Sequence, residues 1–148
     1  MQRTRKEVLD LEDSINLKDV LTIPLSFQKG LVKCRVVYAS TIEKIEFHPY
    51  QIHPIRSLKI VYDDLIDYTY KTEDRTALTQ IFQQKGTFDD IIIVKNGYFT
   101  DSYYANLVFD DDQHFFTPRQ PLLKGVRRAS MLQSQIIQEA NYRLEDIP

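Results

Sequence analysis

The run Ile91-Ile92-Ile93-Val94, followed one residue later by Asn96-Gly97, constrains the fold of this 148-residue chain more than any other feature. A half-buried strand alternates apolar and polar residues, so four consecutive branched aliphatics predict a strand covered on both faces. Asn-Gly tolerates the positive φ that a type I′ turn needs at both central positions, so the chain is expected to turn back at once as a hairpin. Residues 98–109 should then supply one or two further strands, and Phe115-Phe116-Thr117 another, ended by Pro118.

Upstream of that hairpin, Leu31–Tyr38, Ile42–Phe47 and Leu58–Tyr62 alternate apolar with polar residues and are rich in Val, Ile and aromatics. This pattern predicts an antiparallel sheet of three strands with one wet face. A helix is expected over Arg3–Leu11 and a short one over Leu17–Leu21, before Pro24 breaks the chain. Arg75–Gln84 carries Leu78, Ile81 and Phe82 on one stripe and ends at Gly86, which predicts a helix with a glycine stop. Val126–Ala140 reads as a second amphipathic helix with Met131, Leu132 and Ile136 on its core side. The acidic segment between breaks the alternation. The chain therefore divides into a small α/β lobe over 1–63, a linker over 64–70 and a larger lobe over 71–148.

Composition removes several classes of function. A formal charge of −2 is the wrong balance for a broad nucleic-acid footprint, and no apolar run approaches the length of a membrane-spanning helix. Cys34 is the one cysteine, which leaves no disulfide framework and no thiolate zinc site; no metal is expected, and a reducing cytoplasm is the default compartment. With 43% hydrophobic and 27% charged residues, the chain has the make-up of an ordinary globular protein.

Three places carry chemistry. Lys71 lies between Tyr68-Thr69-Tyr70 and the start of a helix, at the apparent lobe boundary. A desolvated lysine is an amine nucleophile able to form a Schiff base, although most lysines are solvated surface charges. Asp101 follows Phe99 and precedes Tyr103 on a strand, so its carboxylate would project among rings and need a cation or hydrogen-bond donors; the alternative is a hairpin aspartate that faces water or caps a bulge. Leu122-Leu123-Lys124-Gly125-Val126-Arg127-Arg128 opens a helix with a glycine and two arginines. Unpaired N–H groups of a first helical turn suit phosphate, and a bound anion would relieve the conflict between those arginines and the helix dipole. A plain turn followed by a basic helix gives the same sequence.

Taken in order, these segments resemble the second half of the class-IV aminotransferase family, the fold-type-IV pyridoxal-phosphate enzymes that include branched-chain and D-amino-acid aminotransferases and aminodeoxychorismate lyase. The family's lysine with Asn-Arg or a near equivalent four positions on is matched by Lys71 and Arg75. Its Gly-x-x-Thr-Glu-x-x-x-x-Asn-hydrophobic-x-Phe is matched by Gly97, Thr100, Asp101, Asn106, Leu107 and Phe109. Thr117, Pro118, Leu123, Gly125, Val126 and Arg128 match Thr-Pro followed by Leu-x-Gly-Ile-x-Arg.

The resemblance implies a two-lobe α+β fold, pyridoxal 5′-phosphate as cofactor, and an amino acid or an aminodeoxychorismate-like molecule as substrate of a homodimer. It gives Lys71 the Schiff base and the proton shuttle, and Asp101 the pyridinium nitrogen, with aspartate in place of the family's glutamate. Asn106 joins the cofactor-binding set, and Gly125, Val126 and Arg127 take the phosphate. Arg35 and Tyr38 in the first lobe are candidates for substrate contact. In the family, a first strand and a phosphate-clamping arginine precede the segment matched by Met1-Gln2-Arg3-Thr4, so the N-terminal lobe is expected to lack that strand. A folded, non-catalytic relative that keeps the hairpin and helix for packing is the competing expectation.

Overall fold

The computed structural model of the chain describes residues 1–146. Its first compact unit, Met1–Pro54, holds α1 (Gln2–Leu9), α2 (Leu17–Val20), β1 (Val32–Tyr38) and β2 (Ile42–Pro49). Asp10 stops α1 by adopting a left-handed conformation, and the Asn16 side chain caps α2 by accepting from the Lys18 N–H. β1 and β2 form an antiparallel pair with Val36 opposite Ile45, and a bulge between Val37 and Tyr38.

No apolar side chain of this unit is fully buried; its one fully buried side chain is Arg5. The Arg5 guanidinium donates to the Ala39 and Ser40 carbonyls at 2.9 and 2.7 Å, and grips both Asp13 oxygens at 2.6 and 2.7 Å. One planar fork thereby ties α1, the segment after it and the β1–β2 turn together.

The second unit starts at Ile55 and holds β3 (Leu58–Tyr62), α3 (Thr76–Gln83), β4 (Asp90–Lys95), β5 (Tyr98–Ser102), β6 (Phe109–Asp110), β7 (Phe115–Pro118), α4 (Val126–Gln133) and β8 (Gln138–Ala140). Its two sheets have strand orders β3-β4-β5 and β6-β7-β8. β4 is the centre of the first sheet and is buried on both faces, as its apolar run predicts. Ile91 and Ile93 pack with Val61, Ile66, Leu78, Ile81 and Leu122 on one side, while Ile92 and Val94 pack with Phe99 on the other. Asn96 and Gly97 take φ values of 52° and 79°, the turn that Asn-Gly encodes.

Two expectations are corrected. β3 does not complete an antiparallel sheet with β1 and β2; it pairs in parallel with β4, with α3 in the connection between them. Alternation reports a strand with one wet face but not its partner. The last helix is shorter than its apolar pattern suggests. Gln135 takes a φ of 57° and the Ile136 N–H bonds back to the Met131 carbonyl, a left-handed helix ending made without glycine. Residues 138–140 then run as β8 parallel to β7, Ile137 is buried in place of Ile136, and Ile136 is exposed. Among the described residues no helix is long and apolar enough to cross a membrane.

The role of Arg5 sets a stability prediction. Arg5→Ala removes the centre of the first unit and leaves two carbonyls and Asp13 without their partner. Breaking a buried charged contact costs about 3–5 kcal/mol. The lower end of that range is expected, because Asp13 is largely open to solvent. Urea unfolding followed by circular dichroism measures the loss; an unchanged midpoint would show that the unit is held elsewhere.

Candidate active site

The site is built where β5 falls out of step with β4. Lys95 pairs with Tyr98 and Val94 with Phe99, but Ile92 pairs with Ser102, so β5 accommodates one extra residue. A one-residue bulge exchanges the two faces of a strand. Phe99 consequently packs with Ile92 and Val94, whereas Tyr103 packs with the Ile91 and Ile93 side. The expectation that Phe99, Asp101 and Tyr103 share a face is corrected by this slip.

After β5 the chain doubles back through residues 102–105. The Ser102 hydroxyl accepts from the Tyr104 and Ala105 N–H groups, and the Ser102 N–H donates to the Ala105 carbonyl at 2.9 Å. Asn106 is thereby set opposite Asp101 as an antiparallel bridge. Asp101 is only 5% exposed. Its Oδ1 accepts from Asn106 Nδ2 at 2.7 Å and its Oδ2 from the Leu123 N–H at 2.9 Å. The same Asn106 amide donates to the Leu123 carbonyl at 2.7 Å. Leu123 carries this contact through its backbone, so the motif that contains Leu123 gave no sign of the contact itself.

Burial pushes the Asp101 carboxyl up from the ordinary 3.8; hydrogen bonds from Leu123 and Asn106, and the more distant charge of Arg128, pull it the other way without prevailing. The site therefore contains a desolvated carboxylate with neutral donors in contact and no cation bound to it.

Leu122 is buried in the core beside β4, which anchors the turn leading into α4. Gly125 caps that helix with no side-chain bond, and no acidic residue lies in the first turn. Val126 and Arg127 in that first turn are both exposed. Arg128 is different. It is buried and donates to Thr117 Oγ1, the Pro118 carbonyl and Glu139 at 3.2, 2.8 and 2.7 Å, pinning α4 to β7 and β8. A side chain at Gly125 would collide with Asn106, since a Cβ there would lie 2.1 Å from Asn106 Oδ1.

Lys71 is exposed, in the loop before α3. Arg75, four residues on, donates to the Tyr103 carbonyl at 2.7 Å and lies 4.5 Å from the Tyr103 ring centre, with Tyr68 and Tyr104 each at 5.7 Å. This ties the Lys71 loop to the segment just after Asp101. A cleft of about 260 Å³ opens beside it, lined by Tyr68, Thr72, Asp74 and Arg75 among others. A second, of about 170 Å³, lies between Asp67, Lys95, Tyr98 and Gln120. Neither is lined by Lys71 or Asp101. Arg35 and Tyr38 lie on β1 in the first unit, where Arg35 pairs with Glu46 at 2.5 Å and, after Lys44, helps hold the Glu46 carboxyl at about 2. No group of three or more metal-binding side chains occurs among the described residues.

The raised Asp101 carboxyl makes a stability prediction with a definite sign. A carboxyl that titrates higher in the folded state contributes stability that is complete below 3.8 and is lost as pH rises through the folded value. Wild type should lose stability relative to Asp101→Asn as pH rises above about 4, as measured by unfolding at a series of pH values. A difference that grows in favour of wild type with rising pH would contradict the assignment.

Comparison with known proteins gives this arrangement a family. The sequence profile of the Amino-transferase class IV family matches residues 6–148. An uncharacterized protein of Haemophilus influenzae is 36% identical over 132 residues, which is 89% of this chain and 70% of that protein. The crystal structure of a candidate 4-amino-4-deoxychorismate lyase from Haemophilus somnus superposes with a TM-score of 0.85 at 29% identity, over 98% of this chain and 77% of that one. A candidate amino-acid aminotransferase from Mesorhizobium loti shares the fold at a TM-score of 0.62 and 24% identity, over 78% of this chain and 62% of its own. With a profile match spanning almost its whole length and a 36% identical relative alongside, the chain belongs to the amino-transferase class IV family.

Proposed function

We propose that the chain is a pyridoxal-phosphate-dependent enzyme acting on an amino acid or an amino-substituted ring, as an aminotransferase or an aminodeoxychorismate lyase-like enzyme. The observation that carries this reading is Asp101, a buried carboxylate held by neutral donors beside an uncapped helix start that bears Arg127. A protonated pyridine nitrogen and a phosphate are complementary to that pair, because a carboxylate with spare lone pairs and unpaired N–H groups with a guanidinium ask for opposite charges. The donor set fits the group.

Lys71 would hold the cofactor covalently and, once free, carry a proton to and from the substrate carbon next to the amine. Asp101 would keep a proton on the ring nitrogen. The first-turn N–H groups of α4 with Arg127 would bind the phosphate, while Asn106 and Gly125 shape the space between. Bound pyridoxal phosphate supplies the electron sink that makes such a proton labile. Similarity to the Haemophilus somnus protein favours the lyase side of this pair of activities.

A second copy in a homodimer would complete the site, with Arg35 and Tyr38 as substrate contacts. The exposed Cys34 suits a cytoplasmic protein, where thiols stay reduced. The exposure of Lys71 favours a second reading, a non-catalytic relative that retains the Asp101 contacts for packing alone.

Trapping separates the two. Borohydride reduction of the protein with pyridoxal phosphate should give a stable adduct on Lys71 by peptide mapping, and an adduct elsewhere, or none, would favour the non-catalytic relative. The role of Asp101 is tested by single-turnover spectroscopy with an amino donor. Asp101→Asn should slow the half-reaction by roughly a hundredfold or more, since stabilisation of developing charge is the largest catalytic contribution. Asp101→Glu keeps the charge but must refit the Asn106 and Leu123 contacts, so an intermediate rate is expected. Equal rates for wild type and Asp101→Asn would remove the carboxylate from the chemistry.

A further inference from the structure

Asn106 stands among the groups expected to hold the cofactor, yet its polar atoms are spent on the protein itself. The amide gives one hydrogen bond to Asp101 Oδ1 and another to the Leu123 carbonyl, both at 2.7 Å, so its two hydrogens are used. Leu123 closes the circuit through its own N–H, which donates to Asp101 Oδ2 at 2.9 Å. Asn106 Oδ1, the remaining polar atom, lies over Gly125, where a Cβ would come to 2.1 Å. Gly125 has φ −66° and ψ 143°, a conformation open to any residue, so the side chain of Asn106 alone demands a glycine there.

The geometry points to Asn106 as a positioning residue that locks the Asp101 carboxylate to the 122–125 turn, so that the ring end and the phosphate end of the cofactor site are set as one piece. This rests on the reading of those two segments given above. The physical reason is that a lone aspartate turns freely about two torsions. Separate donors on its two oxygens fix the carboxylate plane and leave the outer lone pairs aimed one way. One of those donors comes from the turn itself and the other from an amide that also holds the turn, so a shift of either end strains both.

The test has an arm that needs no cofactor. In the wild-type background Gly125→Ala should lower the Tm, because the new methyl meets Asn106. Combined with Asn106→Ala, the same change should be neutral or raise the Tm, as alanine normally does at a compatible glycine. An equal loss in both backgrounds overturns the lock. The second arm compares binding of pyridoxal 5′-phosphate with that of pyridoxal, which lacks the phosphate, for variants shown to be folded by circular dichroism. Arg127→Ala should weaken only the phosphorylated ligand. Asn106→Ala should weaken pyridoxal binding roughly ten- to hundredfold by leaving Asp101 Oδ1 and the Leu123 carbonyl without their donor, and weaken pyridoxal phosphate by more, since the phosphate turn is released as well. Loss confined to one of the two ligands, or to neither, overturns the proposal. If wild type binds neither ligand, the cofactor reading falls, and with it the cofactor half of this inference, while the Gly125→Ala comparison still decides whether the lock exists.

Discussion

The second unit depends on a strand with no wet face. β4 sends Ile91 and Ile93 into one core and Ile92 and Val94 into another, and these four side chains are between 0% and 8% exposed. At about 1.5–3 kcal/mol for each fully buried aliphatic side chain, the strand alone accounts for roughly 6–12 kcal/mol of favourable burial before entropy is counted. Because both cores share it, the two sides of the unit cannot be assembled independently. β3 and β5 are fixed on its two edges, and Leu122 is drawn in against it from the turn before α4.

From that fixed strand, a single extra residue makes the candidate site. The β4–β5 turn starts in register, and the bulge then exchanges the faces between Phe99 and Ser102. Asp101 lies in that stretch, with its carboxylate buried and held by Asn106 and the Leu123 N–H. The cost of desolvation is visible in the raised carboxyl, and it is offset by neutral donors instead of by an ion pair. A charge held in this way is available to a cationic group that arrives later. Arg128, next to the exposed Arg127, is by contrast fully committed to Thr117, Pro118 and Glu139, so adjacent arginines of one motif do different work.

The first unit is organised on the opposite principle. It has no fully buried apolar side chain, and its order centres on the guanidinium of Arg5 with its four hydrogen bonds to two carbonyls and a carboxylate. Directional contacts substitute there for a hydrophobic core, and they fix geometry more than they contribute free energy.

Much of this was legible in the residues. The apolar run fixed β4 as a covered strand, Asn96-Gly97 fixed the turn, and the order of Lys71, Arg75, Gly97, Thr100, Asp101, Asn106, Thr117, Pro118, Gly125 and Arg128 pointed to the family, because periodicity, turn chemistry and motif spacing are local properties. What the sequence left open is non-local. Alternation could not say that β3 pairs in parallel with β4 instead of joining β1 and β2, and an apolar stripe could not say that Gln135 would end α4 so that Glu139 reaches Arg128. Nor could it say that Asp101 would be held by Asn106 and the Leu123 N–H, or that Asn106 would require a glycine nineteen residues away at 125. The motifs carried by the sequence alone determined which family this chain belongs to and which residue types are available for chemistry. Only the tertiary structure decided which of them meet, since register and burial are set by contacts between segments far apart in the chain and not by the residues of any one segment.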